Sequence, residues 1–202
     1  MWTDGIRAPW VGVSDEEFWV EARRRWWTGG MKVAWKGRDM LKVPTDIWSL
    51  QEVIFDTQPE VLIETGSKWG GSAFFFGDLG VEVHSIDVAP PKTPYPHPNV
   101  TYYTGYSISP RNLAMIGQAV EGRRTMVVLD SDHAKDNVLA ELDAYGPMVT
   151  PGCYLICEDT YLPYGPGDAL AEWLPNHPEF VPDASRETWG LTMFPGGWLL
   201  KS

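Results

Sequence analysis

The sequence predicts an α/β protein: a doubly wound, mostly parallel Rossmann-like sheet with helices on both faces and an antiparallel strand near the C-terminus. Three observations carry that expectation. Between residues 60 and 160, short and continuously apolar strands alternate with helical stretches, which is the pattern of a parallel sheet covered on both sides. Four of the strands end in acids: Glu64, Asp87, Asp130, and the pair Glu158–Asp159. A glycine-bearing turn, Glu64 to Ser72, follows the first of these strands.

Composition agrees with a folded domain. Of 202 residues, 44% are hydrophobic and 21% are charged, within the globular range. Sixteen Lys and Arg oppose 27 Asp and Glu, for a net charge of −11. Such a chain is a poor general ligand for nucleic acid or anionic lipid, where phosphate neutralisation dominates. No apolar run approaches the roughly 20 residues of a membrane span. The opening residues lack the basic start and apolar stretch of a secretory leader, so a cytoplasmic address is expected. Cys153 and Cys157, about 13 Å apart along one strand face, are too distant to bridge and read as buried thiols.

Taken in order, residues 1–44 form a Trp-rich, basic helical extension, read as a lid or an oligomer contact, and residues 45–202 form the sheet domain. Ser14 and Glu17 make a capping box for a helix ending near Trp27. Basic residues gather between Arg23 and Lys42. They are either a solvated face paired with the acidic body or a rim that attracts an anionic ligand. A second helix is expected from Thr45 to Pro59. Strands follow at 61–64, 81–87, 100–104, 125–130 and 153–159, with helices at 71–79, 109–122, 136–145 and 167–176 between or after them. Five prolines make 90–98 a loop. Short strands are expected near Phe180, at 191–194 and toward Lys201.

Ligands of such sheets bind at the carboxyl ends of the strands. The first turn is neither a dinucleotide fingerprint nor a triphosphate loop. Glu64 would repel pyrophosphate but suits an amine-bearing ligand. Asp87, about twenty residues on, stands where an acid takes a ribose diol. Glu64, the turn residues Gly66, Ser67, Gly71 and Ser72, and Asp87 therefore point to a nucleoside with an amino-acid tail, S-adenosylmethionine.

Asp130 closes one strand and Glu158 and Asp159 close the next, which should be its neighbour. Three carboxylates converging there call for a hard divalent cation, Mg²⁺ first, with Mn²⁺ or Ca²⁺ as alternatives. His133 follows Asp130 by three residues, as a base beside the metal or as a structural residue. His84, His97 and His177 read as structural.

These stretches resemble the cephalosporin hydroxylase-like (CmcI-type) family of class I S-adenosylmethionine-dependent O-methyltransferases, which is related to rhamnosyl and macrolide-sugar O-methyltransferases. The resemblance rests on Asp46-Ile47-Trp48, Ile63-Glu64-Thr65-Gly66 with Gly70-Gly71-Ser72-Ala73, and Gly105-Tyr106-Ser107. It rests further on Leu129-Asp130-Ser131-Asp132-His133, Val138 to Leu142, Tyr145 to Val149, Glu158-Asp159-Thr160 and Pro195-Gly196-Gly197. It implies a class I methyltransferase domain and a metal held by Asp130, Glu158 and Asp159. It also implies a cofactor site lined by Glu64, Gly66, Asp87 and Asp130 with Ser107 near the adenine, and His133 as base. The acceptor it implies is a small molecule or glycan with neighbouring oxygens. Two other readings stay open: a non-catalytic cofactor-binding module and a hydroxylase, though no two-His-one-carboxylate set is evident.

Overall fold

The computed structural model describes residues 15–28, 30, 32–89, 91 and 95–202. It contains two compact units, Met1–Met31 and Lys32–Ser202. In the first, helix α1 spans Asp15–Thr28. Arg24 and Arg25 both reach back to Glu21, a spacing that puts them on one helix face. Ser14, the expected cap, lies outside the described residues.

The second unit opens with an antiparallel hairpin, β1 (Val33–Trp35) and β2 (Arg38–Met40), turned by Lys36 and Gly37 at positive φ. Three-residue strands in a basic stretch carry little periodicity, and the sequence reading did not contain this hairpin. Helix α2 (Pro44–Thr57) starts with Pro at its first position, where the missing amide costs nothing. Then come β3 (Val61–Thr65), α3 (Gly71–Asp78), β4 (Glu82–Asp87) and β5 (Val100–Thr104). Helix α4 (Pro110–Val120) is capped by the Ser109 hydroxyl, which accepts from Asn112 N. The chain continues through β6 (Thr125–Leu129), α5 (Lys135–Tyr145), β7 (Tyr154–Cys157), α6 (Pro166–Trp173), β8 (Phe180–Pro182) and β9 (Trp198–Lys201).

The seven-stranded sheet has the order β5-β4-β3-β6-β7-β9-β8. Strands β5 to β7 are parallel, and β9 runs antiparallel to both β7 and β8. Strands β3, β6 and β7 are buried at every position, as two covered faces require. The predicted α/β class and the antiparallel C-terminal strand are therefore both present. The chain crosses over at β3, with β4 on one side and β6 on the other, and this defines the switch point. Cys153 and Cys157 are buried free thiols.

The strand expected at 191–194 is absent. Its backbone is engaged by α2 instead: Thr45 Oγ1 donates to Leu191 O at 2.6 Å, and Met193 N donates to Asp46 Oδ2 at 2.9 Å. Side chains from the far end of the sequence take the groups a neighbouring strand would have used.

Close approach at the switch point explains two of the turn glycines. A Cβ on Gly66, which sits at φ +88°, would lie 1.9 Å from Asp130 O. On Gly71 it would lie 2.0 Å from Asp39 O, so the hairpin backbone packs directly on the start of α3. Gly66→Ala should lower the unfolding free energy by at least about 2 kcal/mol, through both clash and a disfavoured conformation. Gly37→Ala, at φ +78° with open space around it, should lose only about 1 kcal/mol. Urea titration of the two variants checks the difference.

Candidate active site

The carboxyl ends of the parallel strands carry the predicted residues, and the register explains their meeting. Leu129 pairs with Cys157, and Glu158 N donates to Leu129 O at 3.0 Å. The next residues, Asp130 and Glu158, therefore leave the sheet side by side. Asp159 follows with φ +56°, a left-handed conformation that turns the chain out of the strand.

Asp130, His133 and Asp159 come together. Each offers one ligand atom, and these atoms all lie within 4.8 Å of one another. His133 Nε2 is 3.2 Å from Asp159 Oδ2 and 3.6 Å from Asp130 Oδ1. It is buried and aligned for a hydrogen bond with neither. Glu158 stands apart from this trio, because Lys42 holds it: Lys42 Nζ lies 2.6 Å from Glu158 Oε1 and 2.9 Å from Asp130 Oδ2. The predicted set of Asp130, Glu158 and Asp159 is thus brought to one edge, but with a lysine between two of its members.

Lys42 is the principal residue that sequence reasoning missed. It was grouped with the basic stretch, yet its side chain is only 2% exposed. Three described neighbours in that stretch are also engaged within the chain. Lys32 meets Asp39, Lys36 meets Asp78, and the Arg38 guanidinium lies over Phe74 and Tyr95. The available signal was local: Lys42 is flanked by Met40, Leu41 and Val43, an apolar setting unlike that of its basic neighbours.

Charge at this edge is unbalanced. Burial works against the Lys42 ammonium, but Asp130, Glu158 and Glu64 outweigh it and raise its pKa. Burial likewise opposes the Asp130 carboxylate, and Lys42 and His133 overcome that and hold its pKa below the ordinary value. The excess acid carries the penalty. Burial pushes Glu158 well up, and burial with the Asp130 charge pushes Asp159 to about 6. The adjacent Asp130 raises the pKa of His133, against burial.

The first turn is built as the sequence suggested, with specific partners. Glu64 is fully buried, and its Oε2 accepts from Ser85 Oγ. Its Oε1 has no hydrogen-bond partner, and burial raises its pKa. Ser67 Oγ meets Ser85 Oγ at 2.6 Å, and Ser72 is buried close by at the start of α3. Asp87 accepts from Lys68 N at 2.9 Å and Ala89 N at 3.1 Å, so it braces the turn and its own loop. Asp132 Oδ1 accepts from Ala134 N, a turn that leads into α5.

Ser107 has a role the sequence did not reveal. Its hydroxyl donates to Glu141, which also takes Ser131 Oγ at 2.7 Å and Thr65 Oγ1 at 3.3 Å. Tyr145 Oη donates to Ser107 O at 2.7 Å. Glu141, buried on α5, thus gathers the ends of β3 and β6 and the loop after β5 on one carboxylate. Its pKa is raised by burial, against those hydroxyl bonds.

Two residue types fit the implied ligands. The carboxylates of Asp130 and Asp159, with Glu158 at the same edge, supply the oxygen donors that a hard divalent ion takes. A buried carboxylate oxygen without a partner suits a cationic amine.

Comparison with known proteins adds a family. The family model described as Rhamnosyl O-methyltransferase/CmcI matches residues 26–202. The rhamnosyl O-methyltransferase of Mycobacterium leprae (strain TN) is 28% identical over 210 residues, covering 90% of this chain and 90% of that one. Its counterpart in Mycobacterium tuberculosis (strain ATCC 25618 / H37Rv) is 28% identical over 212 residues, covering 91% and 85%. The apo structure of CmcI-N160 superposes with TM-score 0.65 at 21% identity, over 84% of this chain and 76% of that chain. The structure titled cmcI-D160 Mg-SAM superposes with TM-score 0.64 at the same identity and coverage. Among the described residues, no helix is long and apolar enough to cross a membrane.

Asp46 makes the electrostatics testable away from the ligand atoms. Burial pushes its carboxyl from 3.8 to about 7, against the Met193 amide that it accepts. Between these values the folded chain keeps a proton that the unfolded chain has released. Stability should therefore fall as pH rises from about 4 to about 7. Asp46→Asn keeps an acceptor for Met193 N and removes that proton. Relative to wild type, the variant should gain stability across this window and hold the gain above it, as read by urea unfolding at several pH values.

Proposed function

Because this chain belongs to the rhamnosyl O-methyltransferase/CmcI family, we propose that it transfers a methyl group from S-adenosylmethionine to a hydroxyl of a sugar or glycosylated natural product, with a divalent ion at the acidic edge. The observation that carries the reading is the meeting of Asp130, Glu158 and Asp159 at one strand edge, with His133 against Asp130 and Asp159, beside the turn that bears Glu64. Curated relatives named as rhamnosyl O-methyltransferases support a sugar acceptor, and a related structure titled with Mg and SAM supports the ion and the donor.

Each group has residues suited to hold it. Glu64, with one unpartnered oxygen, would take the amino-acid end of the donor, Asp87 its ribose and Ser107 the adenine side, with Gly66, Ser67, Gly71 and Ser72 of the turn lining the cofactor site and Asp130 closing the pocket. When bound, the donor supplies an electrophilic methyl group on a sulfonium, already a good leaving group. Asp130, Glu158 and Asp159 would hold the divalent ion, Mg²⁺ first, which supplies Lewis acidity toward two neighbouring acceptor oxygens.

The chain's own residues do the rest. The His133 imidazole would accept the acceptor hydroxyl proton. Asp159, fixed by its left-handed backbone, keeps the imidazole at the edge where that hydroxyl must lie. The sheet positions both reactants, so alignment is the main catalytic contribution. Vicinal diols of a sugar match a site built from clustered oxygens.

Methyl transfer to rhamnosides, followed with labelled donor, tests this. EDTA and Asp159→Asn should each lower kcat/KM by roughly 100-fold or more, with added Mg²⁺ restoring only the EDTA-treated wild type. Undiminished turnover in both removes the ion from the reaction. His133→Gln should lose on the order of 100-fold in kcat with little change in donor affinity by calorimetry. Full activity in that variant assigns the proton elsewhere.

A further inference from the structure

Lys42 lies two residues before the start of α2, with its ammonium in contact with Asp130 and Glu158 at 2.9 and 2.6 Å. Two of the three carboxylates assigned to the ion are therefore already joined by a cation that belongs to the chain. Among the groups acting on Lys42, Asp130, Glu158 and Glu64 all attract it, so the ammonium sits in a field that would equally attract a metal.

Resting on the metal-dependent reading above, we propose that Lys42 is a positioning residue and an internal rival of the divalent ion: it fixes Asp130 and Glu158 in place while weakening the hold of the acidic edge on metal. Two physical effects set the sign. A fixed positive charge touching both carboxylates repels a second cation arriving at them, and the buried setting screens that repulsion poorly. Each carboxylate also gives one of its two oxygens to Lys42, which reduces the oxygens left for an ion that wants six. A lysine that served only as a structural tie would act oppositely, since removing it would loosen the ligands and weaken binding.

The experiment uses the full chain without donor or acceptor and Mn²⁺ as the probe, with free Mn²⁺ read by electron paramagnetic resonance. Lys42→Met should bind Mn²⁺ about tenfold more tightly than wild type, because a neighbouring like charge is gone. Mn²⁺ should also raise the melting temperature of Lys42→Met more than that of wild type. Lys42→Arg keeps the charge and should stay within about twofold of wild type. Lys42→Gln, which retains a donor between the two carboxylates, replaces the Met variant if that protein does not fold. Equal or weaker Mn²⁺ binding by the neutral variants overturns the rivalry and leaves the metal-dependent reading standing. Absence of Mn²⁺ binding in wild type and neutral variants alike overturns both.

Discussion

A buried ammonium between two strand ends organises the acidic edge of this sheet. Parallel pairing of β6 with β7 forces Asp130 and Glu158 to emerge together, and like charges so placed repel. Lys42 relieves that repulsion from a segment 88 residues away in sequence from Asp130 and 116 from Glu158. Breaking such a buried pair by removing one partner typically costs about 3–5 kcal/mol, because the other charge is left uncompensated. The arrangement therefore constrains three segments at once: the chain entering α2, the end of β6 and the end of β7.

A second carboxylate works by different means at the neighbouring strand ends. Glu141 is buried with hydroxyls of Thr65, Ser107 and Ser131 and has no cation among its hydrogen-bond partners. Neutral donors satisfy its oxygens without adding charge. The edge thus divides into a hydroxyl-bonded half, at β3 and the loop after β5, and an ionic half, at β6 and β7. The first half rigidifies the region assigned to the donor. The second gathers three carboxylates around the single ammonium of Lys42 and the His133 ring, the concentration of acid that a cation site needs and a nucleoside site does not.

Much of this was legible in the sequence, and what was not has a physical cause. Apolar runs of three to five residues ending in acid located β3, β6 and β7 because a doubly covered strand has no polar face to disguise it. The acids at their ends were legible for the same reason, since Asp130, Glu158 and Asp159 break an otherwise apolar run. Lys42 and Glu141 were not, because their meaning lies in partners far away in sequence. Glu141 sits within an ordinary amphipathic helix, where an acid reads as solvent-facing. The β1–β2 hairpin escaped because three-residue strands give too short a period, and the segment at 191–194 misled because its apolar residues pack without pairing as a strand.

The start of α2 joins these long-range ties. Lys42 and Asp46 are four residues apart, both buried and opposite in charge, and they face different parts of the chain. Lys42 grips the acidic edge, while Asp46 accepts the Met193 amide and holds the C-terminal segment that leads into β9. Their fields overlap: Lys42 lowers the Asp46 pKa and Asp159 raises it, though burial outweighs both. A change in charge at the acidic edge is therefore felt electrostatically at the residue anchoring 191–194, with no movement of α2 required. That coupling follows from one helix start supplying both anchors, and it ties the segment entering α2 to the acidic edge even though no residue of it stands at the end of a strand of the seven-stranded sheet.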